Sequence, residues 1–201
     1  LPGMWHQMSV HLSAASCVDW AAGVLGLSGP GELFALAERE GATGGDELFL
    51  PYLSGERTPH NDPHVRGAFM GLDNESSAAR LAAAVLEGIA FAHADGLAAL
   101  REAGARVECL SVIGGGARSR HWGSILAAAL GVPLHYLDGG EVGPPLGAAR
   151  LALMAHTGAD PAQACVRPPV VGIVEPDLAL SRRLAPKIER FRRAYPALST
   201  I

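Results

Sequence analysis

The chain has 201 residues, 49% of them hydrophobic and 18% charged, with a formal net charge of −4. That length supports one globular domain with a sizeable core, and the mildly acidic balance is not that of a nucleic-acid or membrane-surface binder. No apolar run approaches the roughly 20 residues that span a bilayer. Cys17, Cys109 and Cys165 lie far apart and form no CxxC pair, so buried free thiols in a reducing cytosol are expected.

The chain begins Leu1-Pro2-Gly3, which is neither a start methionine nor a signal peptide. Trp5 to Leu12 alternates loosely and reads as a strand, so the fold is expected to start in mid-sheet, as a piece of something longer. Ala14 to Leu25 reads as a helix with Cys17, Val18, Ala21 and Leu25 on one side, and Glu32 to Glu40 as a second helix. Leu48-Phe49-Leu50 is a short buried strand stopped by Pro51. Tyr52 to Arg66 is a long polar loop, of a length that in compact domains is usually functional or disordered. Gly67 to Leu72 is a short apolar segment, and Asp73 or Asn74 is placed to cap the helix that follows.

That helix, Ser77 to Ala103, carries Leu81, Val85, Ile89, Ala92 and Leu100 at helical spacing, which marks a core face. Gly88 and Gly96 cost it propensity and suggest tight crossings. Val107 to Ile113 is a near-continuous apolar strand, expected to be covered on both faces. Ser119 caps the next helix, Pro133 to Leu137 is a further strand, and Pro144 to His156 is a helix with proline in its first turn. Gly158 to Pro176 looks like an extended linker, and Asp177 to Tyr195 a charged amphipathic helix whose arginines 182, 183, 190, 192 and 193 form a solvated face. Strands and helices alternate through the second half as in an α/β layer fold with parallel strands.

Gly114-Gly115-Gly116-Ala117-Arg118-Ser119 is the most informative segment. A strand that runs through glycines into a helix lets a ligand approach bare backbone, and the helix N-terminus offers N–H groups and a positive dipole end to an anion. A nucleotide diphosphate suits such a site, and a plain tight turn is the other reading. The spacing is neither the dinucleotide-binding pattern nor a P-loop. A second glycine-rich turn, Gly139 to Gly147, follows the next strand, so both turns are expected at the carboxyl edge of one sheet, where α/β ligands bind. Arg118 could cover a base, pair with phosphate, or simply be solvated. Ser119 reads as a helix cap before a ligand. Glu56 and Arg57 could form an ion pair facing a cleft, and His60 and His64 flank Asn61-Asp62-Pro63 in a loop with no third metal ligand evident.

Several segments together resemble the FGGY carbohydrate kinases. They are Pro51-Tyr52-Leu53-Ser54-Gly55-Glu56-Arg57-Thr58-Pro59; Gly67-Ala68-Phe69-Met70-Gly71-Leu72 with Leu81, Ala84, Val85, Leu86 and Glu87; Ile113 to Ser119; Gly143 to Arg150; and Ser13 to Trp20. Arg80 departs from that pattern, on a helix turn expected to be exposed, as does Ala15, where many relatives have glycine. The resemblance implies an actin-like, ribonuclease-H-like α/β fold, truncated at its N-terminus. Residues 1–157 would be the nucleotide-binding domain, and 158–201 a linker and C-terminal helix packed on it. It implies ATP and Mg²⁺ as cofactors, with Gly114, Gly115, Gly116, Ala117, Arg118, Ser119, Ala15 and Asp19 on the nucleotide; a plain surface carboxylate remains the other reading of Asp19. It implies a cytoplasmic ATP-dependent sugar kinase acting on D-xylulose; the alternatives are ribulose, glycerol or gluconate in its place, or a nucleotide-binding fragment with no activity of its own. The base that deprotonates the sugar hydroxyl, and most of the sugar site, would lie upstream, so no catalytic residue is assigned here and the chain alone is expected to be inactive. The expected partners are the nucleotide and, through that upstream domain, the sugar. Homodimerisation is left open, and neither nucleic acid nor membrane is expected. On the same ground Trp5 to Leu12 would be the third strand of a sheet whose first two precede Leu1, leaving an unfilled edge and a tendency to self-associate.

Overall fold

A computed structural model of the chain describes residues 3, 5–41 and 45–199. Seven helices and five strands occur among them. Helix α1 (Ala15–Val24) and helix α2 (Pro30–Glu40) precede a two-stranded antiparallel ribbon, β1 (Leu48–Leu50) with β2 (Ala68–Met70), in which Phe49 lies opposite Phe69. The long helix α3 (Ala78–Glu102) follows. Its cap is Ser77, whose hydroxyl accepts from the Arg80 N–H at 3.2 Å. The expected cap, Asp73, instead closes its own turn by accepting from the Glu75 N–H.

The second sheet has the order β3 (Leu110–Val112), β4 (Leu134–Leu137), β5 (Val170–Val174). Strands β3 and β4 are parallel, joined by helix α4 (Arg120–Leu130). Strand β5 runs antiparallel to β4 and lies inside the segment read as a linker, which also holds the one-turn helix α6 (Pro161–Ala164). Val170, Val171 and Ile173 are a β-branched run, and the linker reading overlooked that signal. Strand β3 is shorter than Val107 to Ile113 and covered on one face only. Leu110 and Val112 turn towards the core while Ser111 and Ile113 are exposed.

Helix α3 is the core of the molecule. It is long and apolar enough to cross a membrane by length and composition, but 83% of its apolar window is buried against the rest of the fold. Helices α1, α2 and α4, the ribbon and helix α7 (Leu178–Leu198) all pack on it. Its glycines mark close approaches, though not to other helices. A Cβ on Gly88 would lie 3.0 Å from the carbonyl carbon of Phe49 in β1, and one on Gly96 would lie 2.6 Å from the His11 ring. Helix α5 (Pro144–Thr157) is different. It has no buried residue, and Leu151 and Leu153 are exposed.

The expected strand at Trp5 to Leu12 is not formed. The segment is irregular, and its polar backbone is met from the long loop instead. The Val10 N–H donates to the Thr58 hydroxyl and the Thr58 N–H to the Val10 carbonyl, both at 3.0 Å, while the Leu12 N–H donates to the Glu56 carboxylate at 3.1 Å. A strand is defined by its neighbour, and among the described residues no strand runs beside this one. Trp5 and Met8 point to solvent.

Three buried or half-buried ion pairs fasten the elements around α3. Glu87 on α3 meets Lys187 on α7, and Lys187 also donates to the Gly45 carbonyl at 2.9 Å. Asp95 meets Arg192 at 2.7 Å. Buried Glu47 meets Arg80 at 2.9 Å. Arg80 is therefore a structural counter-charge and not an exposed side chain. Arg190 and Arg192 likewise leave the expected solvated face to pair with Asp46 and Asp95.

Candidate nucleotide cleft

The glycine turn sits where β3 ends. Gly114 has φ 85°, a left-handed backbone that glycine adopts without strain. Gly115–Arg118 then make one 3₁₀ turn, and Ser119 starts α4 as its cap, accepting from the Trp122 N–H at 3.2 Å. Because β3 and β4 are parallel, the second glycine turn emerges at the same sheet edge. The two turns are bonded directly, the Gly114 N–H donating to the Gly140 carbonyl at 2.9 Å. That N–H is consequently engaged within the protein. The backbone open to a ligand is that of Gly115 and Gly116.

In front of the turn lies a cleft of ≈ 900 Å³. One wall is the α1 face carrying Ala15, Val18 and Asp19. A second is Pro30, Gly31, Phe34 and Glu38 of α2. The floor is Ile113 to Gly116 with Arg118, Ser119 and the first turn of α4. A volume of this size holds a mononucleotide-sized ligand. Of the eight residues expected on the nucleotide, Gly114, Gly115, Gly116, Arg118, Ser119, Ala15 and Asp19 all line this one cleft. Ala117 does not, because its side chain packs against the core.

The polar groups at the cleft differ in how far they are engaged. The Arg118 side chain is exposed and makes no hydrogen bond or ion pair with any described residue, so it can turn towards a ligand. Arg120 cannot so readily, since its guanidinium lies 3.6 Å from the centroid of the Tyr136 ring. His121 is held below the ordinary imidazole range by burial, partly offset by the Glu38 carboxylate, which leaves it a neutral, polar wall at pH 7. Asp19 and Glu38 are exposed carboxylates, and among the described residues no three acidic, histidine or cysteine side chains gather into a metal-binding group.

The residues that sequence reading missed are Phe34, Glu38, His121 and Trp122. Ser28-Gly29-Pro30-Gly31 announces the start of α2, but nothing in it says that α2 turns its side towards the glycine turn. Trp122 sits three residues after the Ser119 cap, the position whose N–H a cap engages, and that was its one local signal.

The other expected site residues are elsewhere. Glu56 is buried and accepts from the Leu12 and Arg57 N–H groups, at 3.1 and 2.8 Å, with His11 Nδ1 at 3.4 Å. The Arg57 side chain is exposed and forms no ion pair with it. His60 stacks on Tyr195 with ring centroids 3.5 Å apart, and Tyr195 donates to Asp62 at 3.1 Å. The long loop thus ties the first residues and the last helix onto the core rather than shaping the cleft. A basic hollow between α3 and α7 carries Arg80, Lys187 and Arg190, each already paired with a carboxylate.

Residues 5–156 match the model of the FGGY family of carbohydrate kinases, C-terminal domain. The xylulose kinase of Escherichia coli K12 is 46% identical over 98% of the chain and 41% of its own length. A glycerol kinase of Citrifermentans bemidjiense is 34% identical over 96% of the chain and 38% of its own length. Among solved structures, the xyloylose kinase from Brucella ovis superposes with a TM-score of 0.86 at 44% identity, covering all of the chain and 41% of that protein. The xylulose kinase from Rhodospirillum rubrum gives 0.74 at 27% identity. The chain therefore spans about two fifths of the length of these relatives, with the α/β, actin-like fold of their second domain. It belongs to the FGGY family of carbohydrate kinases.

Proposed function

We propose that this chain is the ATP-holding part of a kinase that phosphorylates D-xylulose to D-xylulose 5-phosphate. One observation carries the reading. The glycine turn, α1 and α2 meet in a single ≈ 900 Å³ cleft, in a chain 46% identical to a xylulose kinase. Phosphoryl transfer asks the protein for positioning, for neutralisation of phosphate charge and for a base at the acceptor hydroxyl. The Gly115–Gly116 backbone serves the first by close contact to the nucleotide, Arg118 covers the adenine or pairs with phosphate, Ala15 and Asp19 line the opposite wall, and Ser119 holds the α4 N-terminus in place. The base and the sugar contacts belong to a domain beyond this chain, and no residue here is assigned to them. Mg²⁺ is the usual companion of ATP phosphates. Among the described residues no three acidic, histidine or cysteine side chains gather to hold it, so no step is derived through it.

Residues 1–157 form the nucleotide-binding unit in this reading, and 158–201 its C-terminal extension. The family match ending at residue 156 supports that division, while β5 pairing with β4 and α7 packing on α4 join the extension to the same domain. A cytoplasmic location suits a kinase that draws on ATP. The sugar is the least constrained part, because the glycerol kinase relative matches nearly the whole chain, and ribulose, glycerol or gluconate are alternatives.

The test is calorimetry with ADP alongside an assay of ADP release from ATP and xylulose. Binding without turnover is expected. Absence of a general base alone costs on the order of 10²–10⁴-fold. Turnover near that of an intact kinase would overturn the proposed division of labour, and no ADP binding would overturn the nucleotide reading.

A further inference from the structure

We infer that Trp122 is a positioning residue for the glycine turn, and that residue 116 is glycine to make room for its indole. The inference rests on the nucleotide reading of the cleft and adds what holds that cleft in shape. Gly116 has no positive φ, so backbone conformation does not demand glycine there. Nor is the open cleft the nearest thing a side chain would meet. A Cβ at residue 116 would lie 3.0 Å from Trp122 Cε3, with Cζ3 closer still. The indole backs the turn from the α4 side.

Trp122 is itself fixed from three directions, two of them at the ring. Its backbone N–H donates to the Ser119 hydroxyl at 3.2 Å. The indole Nε1–H points to the Leu86 carbonyl of α3, with N···O 3.4 Å. Phe34 of α2 packs on the ring at 5.8 Å between centroids. Trp122 therefore connects the turn to the core helix and to the opposite wall of the cleft. If the ring moves, the Gly115–Gly116 backbone loses its backing. If residue 116 gains a methyl group, ring and turn must part. Either change displaces the Gly115–Gly116 backbone that lines the cleft, and small displacements of a positioned contact lose binding.

The experiment is a double-mutant cycle on ADP affinity, with melting temperature read on the same four proteins. Gly116→Ala is expected to weaken ADP binding about tenfold or more, and Trp122→Leu several-fold. The double variant should bind no worse than Trp122→Leu, because the methyl group has nothing to strike once the ring is gone. Equal losses from Gly116→Ala in both backgrounds would show that the glycine serves the ligand directly, and would overturn the inference. Trp122→Phe, which keeps an aromatic ring, should fall between the unaltered protein and Trp122→Leu, and it stands in if the leucine variant fails to fold. If the unaltered protein binds no ADP, the nucleotide reading fails and the positioning role falls with it. The melting temperatures then still decide whether Gly116 and Trp122 are coupled, an additive pair overturning the steric claim.

Discussion

Gly88 and Gly147 are both glycines inside helices, and the structure assigns their replacement by alanine opposite signs. Glycine in a helix interior costs about 1 kcal/mol relative to alanine, so each substitution starts with a gain of that order. At Gly147 in α5 nothing lies within 4 Å of the new Cβ, and the gain stands alone. At Gly88 the new Cβ meets the Phe49 carbonyl, its carbon at 3.0 Å and its oxygen nearer. A relaxed C···O contact is about 3.3–3.6 Å and the carbonyl oxygen lies far inside it, so α3 and β1 must separate by about 1 Å or more. The obstacle is backbone and cannot escape by changing rotamer. Phe49 is further held by Phe69 and Trp20, with ring centroids at 4.7 and 5.8 Å. Overpacking of this kind costs about 1–3 kcal/mol, and a rigid obstacle belongs at the upper end. The net effect of Gly88→Ala is a loss of about 2 kcal/mol, against a gain of about 1 for Gly147→Ala. For a chain of this size that lowers Tm by about 4–8 °C in the first case and raises it by about 2–4 °C in the second. Thermal unfolding of the two variants beside the unaltered protein is the assay. A rise in Tm for both would refute the argument, since helix propensity would then outweigh the approach of β1 to α3.

Two further outcomes follow from buried groups. Cys17 is buried with its thiol directed at the Ser13 and Pro51 carbonyls, and burial pushes it up to about 12, so a thiol reagent at pH 8 should label exposed Cys165 first and Cys17 only after unfolding; labelling of Cys17 in the native protein would contradict that burial. His60, His93 and His121 are each held below their ordinary value of 6.5, first of all by burial, so the unfolded chain binds more protons in acid and stability falls as pH drops through 6.5 towards the lower folded-state values. His93→Gln should flatten the Tm profile between about pH 7 and 5, and an unchanged slope would remove His93 from that account.

What could be read from the sequence was what short stretches dictate by themselves. The periodicity of Leu81, Val85 and Ile89, the Ser119 cap and the glycines that end β3 act within a turn or two of the chain, and they placed α3, α4 and the glycine turn between β3 and α4. Strand identity is not local in that way. Trp5 to Leu12 has a strand's alternation and no ladder, because its N–H groups are taken by Thr58 and Glu56. Val170–Val174 passed for a linker until β4 was there to pair with it. The charged residues follow the same rule. Glu56 beside Arg57 looks like an ion pair in sequence, yet its carboxylate is taken up by backbone N–H groups and His11, and Arg80 looks solvated until Glu47 arrives beneath it. The site shows the limit most clearly. A glycine triplet after a strand announces that some atom must come close, without saying which one. At Gly114 it is the backbone's own left-handed turn. At Gly116 it is the ring of Trp122. The ligand's claim on the triplet therefore rests on the walls that α1 and α2 supply from elsewhere in the chain.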